Sequence, residues 1–404
     1  MNPKGGWLVV NIRNITEAHY EDSLDLSAFA FQMDWSGEER AMRRSQFRSE
    51  EKWGAFEDDK LLAQLTLLPL TIYISGRPIP MGGLAGVSTW PEYRRQGLVS
   101  KLLQHSLEVM RRDGQIISLL HPFEFGFYRR FGWEMFLEHR RYSIPSGLLP
   151  QRVQVPGTVE RLAQPDTQML STIYEQYARR YNGMLSRHPQ WWEERIYQRK
   201  KGQIAVYRSE MGDPQGYIIY DVKDSKMTVH ELVCLNETAR RSLWTFIANH
   251  DSMAKEVTTI APLEDDLIST LDNPRVKHEI IPYFMARIVD IEAFAAKYRF
   301  TPCTEAVHEL CIQVEDLHAP WNNGIFKLSV DKQGNGAVDR IIEPTVEQQA
   351  DMVSCDIQTL TCMLMGYRRP ERLMQLHKLR GNEAAIRRLE TLIPQAQTFL
   401  YDFF

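Results

Sequence analysis

The sequence has 404 residues, 43% of them hydrophobic and 25% charged, with a formal charge of -4. That length exceeds one ordinary core and implies two or three domains, while the mixed charge gives no nucleic-acid footprint and no apolar run nears the ~20 residues of a membrane span. The five cysteines, Cys234, Cys303, Cys311, Cys355 and Cys362, are odd in number and lack C-x-x-C or Cys/His ligand spacing, so core or near-core thiols are expected rather than disulfides or a metal site.

The chain opens without the charged, apolar and small-residue succession of a secretory signal, so a cytoplasmic protein is expected. A strand-like stretch near Trp7 to Ile12 leads to helical spacing over Tyr20 to Phe31 and then to a loop, Met33-Asp34-Trp35-Ser36. Ser36 and Glu39 have capping-box spacing for a helix running toward Glu50. Trp53 to Phe56 and Leu61 to Ile74 alternate as strands, a turn follows at Gly76-Arg77-Pro78, and Ile79 to Thr89 is a further strand. Within it Gly82-Gly83 permits a bulge or a close backbone approach.

Trp90-Pro91 stops that strand, because proline cannot donate to a ladder. A short basic loop, Glu92-Tyr93-Arg94-Arg95-Gln96-Gly97, is followed by apolar residues at 98, 99, 102, 103, 107 and 110, the spacing of a helix with one buried face. The first amides of a helix lack intrahelical partners and carry the positive end of its dipole. Strand, loop and helix therefore suit an anion: Gly97 allows close approach, and Arg94 and Arg95 add bidentate donors. For the arginine pair alone, a solvated basic turn is the alternative. Ile116 to Leu120 then reads as a central strand buried on both faces, ahead of the aromatic stretch His121 to Trp133.

Pro145 to Pro156 breaks the pattern. Leu162 to Tyr181 reads as a helix, and Arg187-His188-Pro189-Gln190-Trp191-Trp192 precedes another, with His188 as a cap and the two indoles as packing groups. Ile204 to Ser209, Gly216 to Val222 and Met227 to Cys234 read as strands and Ala239 to Asn249 as a helix. This order repeats that of the first segment, but Asn236-Glu237-Thr238 stands where a basic glycine loop would be. From Ala286 a third segment has a helix over Ile291 to Tyr298, strands over His308 to Val314 and Ile325 to Val330, and a hairpin turn at Gln333 to Gly336. Thr345 to Cys355, Ile357 to Leu364 and Asn382 to Leu392 look helical.

The loop Arg94-Arg95-Gln96-Gly97-Leu98-Val99 resembles the acetyl-CoA motif Q/R-x-x-G-x-G/A of GCN5-related N-acetyltransferases. Val99 replaces the usual small residue, as in the Eis (enhanced intracellular survival) family, which the whole stretch from Val87 to Val99 resembles. Tyr128-Arg129-Arg130-Phe131-Gly132-Trp133 matches a second motif of these enzymes. The phrases R-I-V-D-I-E-A-F, P-W-N-N-G-x-F and L-M-G-Y resemble the sterol-carrier-like domain of Eis proteins. The resemblance implies an α+β chain of two tandem acetyltransferase-like domains, residues 1–148 and 149–286, the second without a CoA loop, and a sterol-carrier-like domain over 287–404.

The same resemblance implies acetyl-CoA bound by Val87, Ser88 and Thr89, by Arg94, Arg95, Gln96, Gly97, Leu98, Val99 and Ser100, and by Phe123 and Glu124. It offers Tyr128 as proton donor to the departing thiolate, where a packing aromatic is the plainer role, and the carboxylate of Phe404 as acceptor of the amine's proton. Phe31 and Trp35 are candidate substrate walls, and Asp34, Glu124 and Asp402 are candidate acidic contacts for a cationic amine. A homo-hexamer is implied by resemblance. Two functions compete: an acetyl-CoA-dependent N-acetyltransferase acting on primary amines of aminoglycosides or lysine, and a non-catalytic acyl-CoA or lipid carrier.

Overall fold

The computed structural model describes residues 10–302 and 308–404, with His308 described by its backbone alone. Trp7 to Val9 of the expected first strand and Cys303 lie outside the described residues. The chain lays down β1 (Asn11–Asn14), β2 (Lys52–Glu57), β3 (Lys60–Ile74), β4 (Arg77–Thr89), β5 (Ile117–Leu120), β6 (Glu134–Met135) and β7 (Glu138–Pro145). Next come β8 (Thr158–Arg161), β9 (Tyr181–Asn182), β10 (Gln203–Arg208), β11 (Pro214–Lys223), β12 (Lys226–Cys234), β13 (Glu256–Ala261), β14 (Lys277–Pro282) and β15 (Met285–Ile288). The last part contributes β16 (His308–Glu315), β17 (Gly324–Val330), β18 (Gly336–Ile341), β19 (Val353–Asp356) and β20 (Gln397–Thr398). The helices used below are α1 (Tyr20–Phe31), α2 (Gly37–Ser45), α3 (Leu98–Arg112), α4 (Phe125–Arg129) and α5 (Thr167–Ala178).

Two seven-stranded sheets repeat one plan. The first has the order β1-β2-β3-β4-β5-β15-β6, and the second β14-β7-β13-β12-β11-β10-β8. In each, a parallel pair, β4/β5 or β12/β13, sits inside an otherwise antiparallel ladder. The halves also exchange strands. β7 follows the first sheet in the chain but pairs with β13 and β14, and β15 follows the second sheet but pairs with β5 and β6. Neither sheet is complete without the other half of the chain.

The two-residue alternation of β3 divides its side chains between two cores. Leu65 and Leu67 pack with Leu84 beneath the apolar stripe of α3, Leu98, Leu102, Leu103 and Leu107. Leu68, Leu70 and Ile72 face the other way, into a core shared with Tyr174, Trp192, Phe399 and Phe404. That second face of the first sheet is where the middle of the chain and its final residues meet it.

Ser36 and Glu39 form the expected capping box, but α2 ends at Ser45, short of Glu50. Helix α5 is shorter than the Leu162 to Tyr181 pattern, because Asp166 caps it by accepting from the Met169 amide at 3.0 Å and Tyr181-Asn182 leaves it to pair with β20. The expected helix from Thr345 to Cys355 is half strand: a helix covers Val346–Ala350, while β19 pairs in parallel with β16. Val353 and Cys355 are buried and Asp356 is exposed. That short period-two pattern is hidden between two helical ones. Cys311, Cys355 and Cys362 are buried and, with the half-buried Cys234, are free thiols. No helix among the described residues is long and apolar enough to cross a membrane.

Candidate active site

Helix α3 starts at Gly97, which holds the left-handed conformation at φ 78°, and its first turn has neither a side-chain cap nor an acidic residue. A Cβ placed on Gly97 would meet nothing within 4 Å. The leading amides therefore have no side-chain acceptor and the space around Gly97 is open, an arrangement suited to a phosphate. Arg95, at φ 62°, is also left-handed and turns the loop onto the helix. Arg94, Arg95 and Gln96 are exposed, Val99 and Ser100 are half-buried, and Leu98 is buried in the core. Arg94 Nε donates to the Thr89 carbonyl at 3.4 Å and Gln96 Nε2 to the Glu92 carbonyl at 3.1 Å, tying the loop to the strand that precedes it.

The parallel register of β4 and β5 covers only Met81 to Leu84 against Ile117 to Leu120. Beyond it β5 ends, while β4 continues to Thr89 with β3 on its other edge. The β3/β4 register slips between Gln64 and Thr66, and Gly86 stands opposite at φ 60°. The two parallel strands thus part at Ala85. The edge of Val87, Ser88 and Thr89 on that side is left without a strand partner among the described residues. Ser88 turns its hydroxyl back to the Gly86 carbonyl at 3.3 Å, and the buried Thr89 hydroxyl has no hydrogen-bond partner among the described residues.

Glu124 caps α4 by accepting from the Gly126 amide at 3.1 Å, so its carboxylate is engaged in setting the helix. Phe123, 71% exposed, lies beside it. Tyr128, 3% exposed, stands edge-on to Phe127 and Phe123 at ring distances of 5.2 and 5.4 Å. Burial alone raises its phenol above the ordinary value, with no hydrogen bond contributing, so the proton stays on at neutral pH.

The final residues are anchored from the second half of the chain. Asp402 is buried and accepts from Arg187 Nε at 3.0 Å, Trp191 Nε1 at 2.8 Å and the Tyr174 hydroxyl at 3.2 Å. Arg187 also donates to Glu231, which the Tyr217 hydroxyl reaches at 2.7 Å. Burial raises the Glu231 carboxyl, but the charges of Arg187 and Lys200 overcome this and hold it at about 2. The Tyr401 hydroxyl donates to the Leu232 carbonyl at 3.0 Å, on the part of β12 beyond its pairing with β13. Phe404 packs on Phe284 at 4.9 Å and lies against Gly83, where an added Cβ would come 3.0 Å from its ring. Gly83 therefore serves close approach, one of the two roles expected of the glycine pair, while the register slip falls at Gly86.

Asp402 is an internal anchor with its oxygens occupied, not an open acidic contact for a substrate. Phe31, 47% exposed, ends α1, the exposed Asp34 follows it, and Trp35 lies under the Arg43 guanidinium at 4.2 Å. His188 caps the helical segment 189–199, its Nδ1 accepting from the Trp191 amide at 3.2 Å, and both indoles are buried, as expected. The functions of Arg187 and Glu231 have no local signal, since their partners lie 215 and 44 positions away.

Three family models cover the chain: an acetyltransferase (GNAT) domain at residues 11–136, a second acetyltransferase (GNAT) domain at 183–288, and a sterol carrier protein domain at 291–401. The chain is an acetyltransferase of the GNAT family. It is 23% identical over 402 residues to an uncharacterized N-acetyltransferase of Streptomyces avermitilis, covering 93% of each. A probable N-acyltransferase from Enterococcus faecalis V583 superposes with a TM-score of 0.90 at 27% identity, over 98% of this chain and 100% of that one. Eis1 from Mycobacterium abscessus shares the fold with a TM-score of 0.80 at 22% identity, over 98% of this chain and 100% of that one. The GNAT match at residues 11–136 contains both the Gly97 loop and Tyr128.

Proposed function

We propose that this acetyltransferase moves the acetyl group of acetyl-CoA onto a primary amine, with CoA held by the first domain. The observation that carries this is the coincidence of two features at one end of β4: uncapped amides beyond Gly97 and a strand edge opened by the parting of β4 from β5. The amides, with Arg94 and Arg95, suit a pyrophosphate, and the Val87 to Thr89 edge suits the amides of a pantetheine arm. Bound acetyl-CoA supplies a thioester; the new N–C bond forms as the C–S bond breaks. Tyr128 is the proton source for the sulfur, and the carboxylate that Phe404 carries as the final residue of this sequence takes the proton lost by the amine.

Thiol release from acetyl-CoA, followed with and without added amines, tests the proposal. Amine-dependent release together with an acetylated amine supports it; CoA binding with no turnover on any amine would favour the carrier function. The interior of the third domain gives the carrier little support. The cavity among Ile288, Phe294, Phe326 and Met363 is about 30 Å³, room for a water rather than a lipid chain.

A further inference from the structure

A cleft of about 610 Å³ lies between one face of the second sheet, the helical segment 189–199 and the final residues. Its floor is a cross-strand row, with Thr228 on β12, Thr258 on β13, Ser143 on β7 and Lys277 on β14 in register. Its wall carries Arg195 and Arg199, and Phe403 leads from it toward Phe404 and the first sheet. Cations outnumber acids on this lining. Lys200, Lys226 and Lys277 are paired with Glu231, Glu256 and Glu279, and Asp402 is consumed by Arg187. Arg141, Arg195 and Arg199 form no ion pair among the described residues. Arg195 stands over the Trp191 ring at 5.6 Å and feels the charges of Glu194 and Glu51 without an ion pair to either, and Arg199 donates to the Phe403 carbonyl.

The positive field extends to the parting of β4 from β5. Lys52 Nζ donates to Thr66 Oγ1 at 2.8 Å, and that oxygen is 3.2 Å from where a Cβ of Gly86 would stand. Lys52 has no carboxylate partner among the described residues. Burial and then the Arg195 charge, opposed by Glu51 and joined by Arg43, push it down to about 8, while burial and Arg195 push Arg199 down to about 10. Four cations, Arg43, Lys52, Arg195 and Arg199, thus outnumber Glu51 and Glu194, the two acids that act on Lys52 and Arg195, next to the parting of β4 from β5. Unpaired, partly buried cations cost stability unless an anion joins them.

We propose that the acceptor amine also carries anionic groups, carboxylate or phosphate, and that Arg195, Arg199 and Lys52 hold them while the cleft on the second sheet receives the rest of the molecule. This rests on the acetyl-transfer reading for the reacting end, and differs from the polycationic amine that the resemblance implies. The geometry suits forked guanidinium contacts to oxyanions and repels polyamines.

Two arms test it. First, binding of a tetra-glutamate peptide is titrated at low salt, with and without saturating CoA, in the full-length protein and in Arg195→Gln/Arg199→Gln. The expected result is a Kd raised about tenfold by the double substitution, with unchanged CoA affinity and a melting temperature that does not fall. No binding, or an unaffected Kd, would overturn the proposal. Second, thiol release is compared for tetra-glutamate against tetra-lysine, and for a phosphorylated amino sugar against its neutral parent. Preference for the acidic member supports the proposal and tells carboxylate from phosphate; preference for tetra-lysine overturns it. The binding arm needs no turnover, so retained tetra-glutamate binding without acetylation of any amine would count against acetyl transfer and leave the anion cleft standing.

Discussion

The ring of Phe404 occupies the space that a side chain on Gly83 would need: a Cβ there would stand 3.0 Å from one ring carbon and 3.2 Å from another. The contact links the last residue of the sequence to the strand whose far end carries the candidate CoA edge. Gly83→Val should push the ring out and lower kcat about 100-fold, the cost of misplacing a reacting group by an ångström. The CoA Kd should stay within about twofold, and steady-state kinetics with a CoA titration check both.

Gly97→Val should act in the opposite way. It forces a β-branched residue into the left-handed region, at a cost of about 1–2 kcal/mol, and places methyl groups over the open amides. The expected outcome is a CoA Kd raised about tenfold or more, measured by calorimetry, with a small loss of thermal stability.

Tyr128→Phe keeps the edge-on packing with Phe127 and removes the proton. If Tyr128 is the proton source, kcat falls by roughly 10²–10⁴ at saturating substrates with little change in CoA affinity. An unchanged kcat would leave Tyr128 a packing residue.

Arg187→Met tests the anchor of the chain's end. It strands Asp402 and Glu231, both buried, without their shared cation. Breaking a buried pair in this way costs about 3–5 kcal/mol, measured by denaturant unfolding. Asp402→Asn removes one charge of the network and should free the final residues, lowering turnover more than global stability.

His139 gives the stability a pH dependence. It is buried, both ring nitrogens lack hydrogen-bond partners among the described residues, and burial followed by the Arg141 charge pushes its pKa from 6.5 down to about 4. Below 6.5 the unfolded chain takes up a proton that the folded one refuses, so this contribution is complete above 6.5 and lost as pH falls toward about 4. The whole effect is about 3 kcal/mol. Unfolding free energies across this range should show the slope, and His139→Leu should remove it. The Glu231 contribution falls in a separate window, lost between 4.5 and about 2 as its depressed carboxyl takes a proton.

Local patterns were legible wherever the physics is local. The helix from Tyr20 to Phe31, the Ser36 capping box, the His188 cap and the glycine-started helix after the basic loop all follow from neighbouring residues. The exchange of β7 and β15 between the sheets was not, because each strand pairs with partners from the other half of the chain. Nor was the burial of Asp402. In sequence it is one acid in an aromatic tail, and only the fold brings Arg187, Trp191 and Tyr174 to it. The charge of the proposed acceptor side was hidden for the same reason: Lys52 is far along the chain from Arg195 and Arg199 and joins them only when the second half packs on the first sheet.

A crystal structure of the CoA complex tests the central claim most directly. The account predicts pyrophosphate oxygens on the amides that follow Gly97, the pantetheine arm along Val87 to Thr89, and the sulfur beside the Tyr128 hydroxyl with Phe404 closing the far side. CoA lodged in the basic cleft of the second sheet, with the Gly97 amides left free, would contradict it.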